Sequence, residues 1–309
     1  MTDTRVGLTA ALPTAGLMAA TFTPMHDDGS LNLEVVGAVV DHLVENGIVG
    51  LYVCGTTGEG HALTVVERRL VAEAYIEASD GRLPVIVHVG HNSLHEARGL
   101  AEHAREVGAT AISAMLPWHS AARDVETVVD SIALIASGAP DLPFIFYHLP
   151  DNNEVDLVDL IEHLIVSVPS VAAVKFTDSR THILQSFLDI ADGRLSVYFG
   201  VDEMLANGLF AGADVAIGST YNFAAPLYRR IVDAVNNGDV KSARSEQTKA
   251  VRMIRMILSH GGLAAQKEMM GILGVDCGPT RLPHRALTAE QKRNLRVGLD
   301  ELGFSGWIR

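Results

Sequence analysis

Short apolar runs rich in β-branched residues alternate with helix-period segments from one end of the chain to the other, the signature of repeated strand–helix units. Apolar runs at residues 17–23, 50–53, 85–89, 111–115, 144–147, 171–176, 195–200 and 215–217 predict eight strands. The intervening helices carry start signals. Residues 33–46 form a helical stripe whose polar positions include Asp41, His42 and Glu45. A second helix over 65–79 opens at Thr64 as N-cap, with Glu67 at the capping-box position, and a third over 94–107 opens at Ser93.

Eight consecutive units, with strands apolar on both faces and no break in composition, predict a closed parallel (β/α)8 TIM barrel rather than an open sheet. Such a barrel takes about 250 residues. The pattern beyond it predicts three further helices, at 239–259, 263–273 and 288–302, packed as a small bundle on the barrel's side. The expected division is therefore an α/β barrel over 1–236 and a C-terminal three-helix extension over 237–309.

Composition narrows the function. A chain of 309 residues, 48% hydrophobic and 20% charged, has material for a core of this size and argues against disorder. A net charge of −13 with scattered basic residues lacks the attraction needed for nucleic acid or anionic lipid. No uninterrupted apolar run reaches membrane-spanning length, since Pro13 and Gly16 break the mildly apolar stretch after Arg5. The two cysteines, Cys54 and Cys277, are far apart and lack zinc-site spacing, which fits a soluble protein of the reducing cytoplasm.

In a barrel, reactive groups project from the C-terminal ends of the strands. Lys175 lies in the apolar run Val171-Ala172-Ala173-Val174-Lys175-Phe176. Burial opposes the ammonium form, so this amine is a candidate nucleophile toward a carbonyl carbon. Its plain alternative is a stem lying on apolar surface with the head in water. The other lysines, at 241, 249, 267 and 292, fall in polar helical segments where a solvated charge is expected. Alternation puts Thr177 on the Lys175 side, inward if Val174 and Phe176 face the helices. Tyr147 ends the neighbouring strand, within about 4.8 Å in the sheet direction, either as a proton carrier or as a half-buried aromatic bonded to backbone.

Further candidates follow the same logic. The loop Gly55 to Gly60, with Thr56 and Thr57, suits a carboxylate cradle or an ordinary turn; it is no P-loop, because His61 stands where lysine is needed. Asp202 and Glu203 end strand seven, where acids suit either a ligand or the first turn of a helix over 204–211. Gly218-Ser219-Thr220 opens the last barrel helix, a place where barrels hold phosphate. His88, His91 and His95 lack an acidic partner, so no metal is expected.

Together, Gly55-Thr56-Thr57-Gly58-Glu59, Tyr147-His148-Leu149-Pro150, Val174-Lys175-Phe176-Thr177-Asp178, Phe199-Gly200-Val201-Asp202-Glu203 and Gly218-Ser219-Thr220-Tyr221-Asn222 resemble the N-acetylneuraminate lyase and dihydrodipicolinate synthase family. The resemblance runs from Gly16 to about Leu282. It implies a homotetrameric barrel whose lysine forms an imine with pyruvate or another 2-oxo acid, without metal or diffusible cofactor.

The last two strings are most similar to those of the sialic acid lyases. That similarity implies that Lys175 and Tyr147 are catalytic, that Thr56 and Thr57 bind the pyruvate carboxylate, and that Thr177 and Gly200 line the channel. Asp202, Glu203 and Ser219 would hold the hydroxylated tail. The implied reaction is reversible cleavage of a 2-oxo sugar acid, such as N-acetylneuraminate, to pyruvate and an aldehyde (N-acetylmannosamine).

Synthases place an arginine where this chain has Asn152, which argues against that activity. The chain also departs from the lyases: Thr56 replaces a common serine, Asp151-Asn152-Asn153-Glu154 replaces small and apolar residues, and Met115-Leu116-Pro117-Trp118-His119 lacks the relay tyrosine that many members carry. Two alternatives therefore stay open, another pyruvate-dependent aldolase or dehydratase and a non-catalytic sugar-acid binding barrel.

Overall fold

The computed structural model describes residues 11–117, 124–150, 155–191 and 193–308. Its centre is a closed barrel of eight parallel strands in chain order. These are β1 (Gly16–Ala20), β2 (Gly50–Val53), β3 (Val85–His88), β4 (Ala111–Ala114), β5 (Phe144–His148), β6 (Val171–Phe176), β7 (Ser196–Phe199) and β8 (Val215–Gly218), with β1 also paired to β8. The predicted (β/α)8 architecture is borne out.

The helices that cover the barrel are α1 (Val36–Glu45), α2 (Val65–Ser79), α3 (Leu94–Glu106), α4 (Val125–Ala136), α5 (Leu157–Ser167), α6 (Thr181–Ala191), α7 (Leu205–Phe210) and α8 (Tyr221–Asn236). The start signals work as read. The Thr64 side chain accepts from the Glu67 N–H while Glu67 reaches back to Thr64, and Ser93 accepts from the Glu96 N–H. The stretch 33–46 divides into a 3-10 turn, Leu33–Val35, and then α1.

Strand alternation splits the core in two. Val174, Phe176, Phe144 and Phe146 face outward into the layer shared with the helices, whereas Met18, Tyr52, Ile86, Ile145, Tyr147 and Tyr198 fill the barrel interior. The inward phase expected for Lys175 follows from the outward phase of its two neighbours. β1 is shorter than predicted and ends at Ala20. Pro24, which has no N–H, follows closely, and the Met25 N–H pairs instead with the Cys277 carbonyl at 3.1 Å.

Three more helices follow the barrel: α9 (Val240–Ser259), α10 (Leu263–Ile272) and α11 (Ala289–Leu302). α9 packs along α8, and α10 and α11 pack against α9. The bundle also reaches the barrel mouth, beyond the expected side position. Gln247 on α9 donates to the Asp202 carbonyl at 3.1 Å and accepts from the Ala206 N–H at 2.9 Å, tying the extension to the end of β7. Among the described residues no helix is long and apolar enough to cross a membrane.

Candidate active site

At the C-terminal ends of the strands lies a cavity of about 180 Å³. Lys175, Tyr147 and Thr177 line it from β5 and β6, and Thr56 and Thr57 from the loop after β2. Gly200, Asp202, Glu203 and Ser219 complete the wall from the ends of β7 and β8. All nine residues singled out in the sequence thus meet in one space.

Lys175 and Tyr147 are register partners across the β5–β6 pair, and both are buried. The Lys175 Nζ lies 4.0 Å from the centroid of the Tyr147 ring and 4.0 Å from that of Tyr52. Burial lowers the pKa of this amine, while Tyr147 and Asp202 push it back up. The net direction favours the uncharged nucleophile.

The β2 loop owes its shape to one buried residue. Cys54 and Glu59 both adopt left-handed φ, and a Cβ on Gly60 would meet the Cys54 carbonyl oxygen at 1.9 Å, so glycine is required there. Glu59 is fully buried and its Oε1 lies 3.1 Å from the Nζ of Lys267, which is also buried. Oε2 accepts from the Arg281 N–H at 2.7 Å. The expectation of a solvated Lys267 is therefore wrong. Helical spacing cannot reveal that α10 turns this face onto a buried carboxylate from another part of the chain.

The acidic pair separates into two environments. Asp202 is buried, and its Oδ2 accepts from the Thr220 N–H at 3.0 Å and from the Thr220 hydroxyl at 2.6 Å. Its Oδ1 is buried with no protein partner. A Cβ on Gly218 would lie 2.0 Å from that oxygen, so Gly218 makes room for it. Burial pushes the Asp202 carboxyl up to about 6. Glu203 is exposed at the rim. Gly200 has a similar spatial role, because a Cβ there would lie 2.0 Å from the Thr177 hydroxyl, itself buried without a partner.

Several contributors escaped the sequence reading, which weighed His88 only as a metal ligand. Tyr52 and His88 pack against Tyr147 inside the barrel, with centroid distances of 6.0 and 5.9 Å. His88 is kept neutral by burial and by the positive charges of Arg68 and Lys175. His95 sits exposed on α3, away from that buried ring, and among the described residues no cluster of three His, Cys, Asp or Glu side chains could hold a metal. Ile254 and Leu258 of α9 and Gln266 of α10 also line the cavity. The in-phase position of Tyr52 in Gly50-Leu51-Tyr52-Val53 was the available signal; the extension's contribution had none. Asp151 to Glu154, Trp118 and His119 lie outside the described residues.

Fold and site together define a parallel barrel of the enzyme class that works from its strand ends with a buried amine. The chain belongs to the dihydrodipicolinate synthetase family, whose model matches residues 13–302. It is 36% identical over 296 residues to the N-acetylneuraminate lyase of Rattus norvegicus, covering 94% of this chain and 92% of that one. The solved N-acetylneuraminate lyase of Proteus mirabilis superposes with a TM-score of 0.91 at 36% identity, covering 94% of this chain and 99% of that one. A catalytic lysine mutant of the Ruminococcus gnavus sialic acid aldolase gives 0.89 at 27% identity, covering 95% and 97%. The family expected from the five strings is confirmed.

Proposed function

We propose that this protein is a Schiff-base-forming carbon–carbon lyase that reversibly cleaves a 2-oxo sugar acid, N-acetylneuraminate in the first instance, to pyruvate and N-acetylmannosamine. The observation that carries the reading is the buried Lys175 nitrogen, 4.0 Å from the Tyr147 ring centre at the wall of a polar cavity. The kinship to lyases that act on this substrate supports the choice.

Lys175 attacks the C2 carbonyl and water leaves, forming the iminium. The Tyr147 phenolate, formed when the phenol gives its proton to the hydroxyl leaving C2 as water, takes the C4 hydroxyl proton as the C3–C4 bond breaks, and the bonding pair flows into the iminium to give an enamine. Protonation at C3 and hydrolysis release pyruvate and restore the amine. The iminium itself accepts the electrons, so the route needs no metal or diffusible cofactor.

Thr56 and Thr57 hold the carboxylate, and Thr177 and Gly200 line the channel. Glu203 and Ser219 take the hydroxylated tail, together with the unpaired Oδ1 of Asp202. In this reading residues 1–236 carry the chemistry and residues 237–309 close one side of the mouth, in a cytoplasmic homotetramer. The two cysteines are free and buried, which suits a reducing compartment.

The second reading is another pyruvate-dependent aldolase or dehydratase with a different tail, favoured by the sequence Asp151-Asn152-Asn153-Glu154 that follows Tyr147-His148-Leu149-Pro150 in the chain. A binding-only barrel needs neither a nucleophile nor a proton carrier, and dihydrodipicolinate synthesis is disfavoured by Asn152. Borohydride reduction with pyruvate tests the chemistry: a mass increment is expected on the Lys175 peptide and is lost in Lys175→Ala. An unmodified peptide from folded protein rejects the aldolase. Pyruvate release from a panel of sugar acids then ranks the two catalytic readings, and activity confined to acids lacking an N-acetyl group rejects N-acetylneuraminate.

A further inference from the structure

The Lys175 nitrogen touches two aromatic faces, and only one of them belongs to the proposed proton carrier. Tyr52 lies at the same 4.0 Å from Nζ as Tyr147, and the two rings meet edge to face at an interplanar angle of 80°. We propose that Tyr52 is the fixed half of an aromatic clamp that stabilises positive charge on the Lys175 nitrogen in the iminium stages of the Schiff-base cycle. This rests on the lyase reading and deepens it.

The bonding of Tyr52 distinguishes it from Tyr147. Its hydroxyl is 2.9 Å from the Ser113 Oγ, and the Ser113 hydroxyl donates to the Ile145 carbonyl at 2.8 Å. With the serine proton used in that bond, the phenol donates to Ser113. The brace runs from β2 through β4 to β5, two residues short of Tyr147. It holds the Tyr52 ring at a set height in the barrel and commits its proton elsewhere. Burial, reinforced by Tyr147, holds the Tyr52 phenol far above its usual range, so it stays neutral and presents an intact π face.

The charge balance of the reaction supplies the need. A neutral amine and a ketone take up one proton and lose one water to form the iminium, and hydrolysis consumes one water and releases that proton. In the iminium, both before the enamine forms and again after its protonation at C3, the nitrogen carries a full positive charge at a buried position. The negative face of an aromatic ring stabilises such a cation, most strongly when both are desolvated. The groups facing this nitrogen are Tyr52 from β2, His88 from β3, Tyr147 from β5 and Asp202 after β7. Of these, Asp202 also bonds Thr220, and His88 is neutral.

The test uses the full chain with Tyr52→Phe, Tyr52→Leu, Ser113→Ala and pentafluorophenylalanine at position 52, which keeps the ring's shape and reverses the sign of its face. Two quantities are read: the acid limb of kcat/KM against pH, and the fraction of enzyme trapped by borohydride at subsaturating pyruvate. Losing a desolvated cation–π contact lowers the pKa of the amine, so Tyr52→Leu and the fluorinated ring should move the acid limb down by roughly 0.4–1.5 pH units. Iminium trapping should fall by roughly 2- to 30-fold in the same two variants.

Tyr52→Phe and Ser113→Ala loosen the brace and keep a π face, so their acid limb should stay in place. A purely structural role would depress all four without separating them. An unmoved limb in the fluorinated protein, or an equal shift in Tyr52→Phe, overturns the proposal. Should Tyr52→Leu fail to fold, the fluorinated ring still decides. Failure of wild-type protein to be trapped would instead reject the Schiff base itself.

Discussion

Lys267→Met should be among the most damaging single substitutions outside the catalytic pair. The Lys267 ammonium uses all three of its donors: to the Thr23 carbonyl at 2.8 Å, to Glu59 Oε1 at 3.1 Å and to the Pro279 carbonyl at 2.6 Å. Both charged partners are at most 1% exposed. Removing the cation leaves a carboxylate in a dry site with the Arg281 N–H on its other oxygen, and two carbonyls without their donor. Breaking a buried pair from one side costs about 3–5 kcal/mol. Methionine nearly conserves volume, so little of that is a cavity effect.

For a domain of this size the loss corresponds to a fall in Tm of roughly 5–15 °C. Urea denaturation of wild type, Lys267→Met, Glu59→Gln and the double variant forms a double-mutant cycle. The double variant should be more stable than Lys267→Met alone, because Gln can still accept from the Arg281 N–H without an unpaired charge. Surviving protein should also show a raised KM for its 2-oxo acid, since Glu59 closes the loop that carries Thr56 and Thr57. A cost below about 1 kcal/mol, the scale of an exposed pair, or strict additivity in the cycle would refute the reasoning.

Tyr147→Phe keeps a ring over Lys175 and removes the phenol, so kcat for cleavage should fall by about 10² to 10⁴-fold while borohydride trapping of pyruvate persists; equal loss of both would mean that Tyr147 only packs. Asp202→Asn tests the raised carboxyl. Because burial lifts Asp202 to about 6 from an ordinary 3.8, the fold prefers the protonated acid. The resulting penalty is absent at low pH, grows as pH rises between those two values, and reaches roughly 3 kcal/mol above them. Asparagine keeps an acceptor for Thr220, so the stability of the variant relative to wild type should climb between pH 4 and about pH 7. A difference that stays flat in urea midpoints across that range would show that Asp202 does not titrate there.

Much of the candidate site was readable without coordinates because strand periodicity is a local property. Once Val174 and Phe176 point to the helices, Lys175 and Thr177 must point inward, and a closed parallel barrel brings every strand end to one mouth. Asp202 shows where that reasoning stops. Its place at the end of β7 was visible, yet the burial that raises its pKa, and the bonds from Thr220, 18 residues away, that pull it partly back down, exist only in the folded barrel. The extension is a similar case, since the helical stripe of α9 cannot announce that Ile254 and Leu258 reach the cavity.

From its sequence alone this protein is an eight-fold strand–helix barrel with an inward-facing lysine at the end of the sixth strand, because alternation, capping and apolar runs act between residues close in the chain. Only the tertiary structure decides what surrounds that lysine. The Tyr52 face, the brace through Ser113 and the Lys267–Glu59 pair each join residues far apart in sequence, and their energies depend on the exclusion of water, which no stretch of chain possesses before the barrel closes.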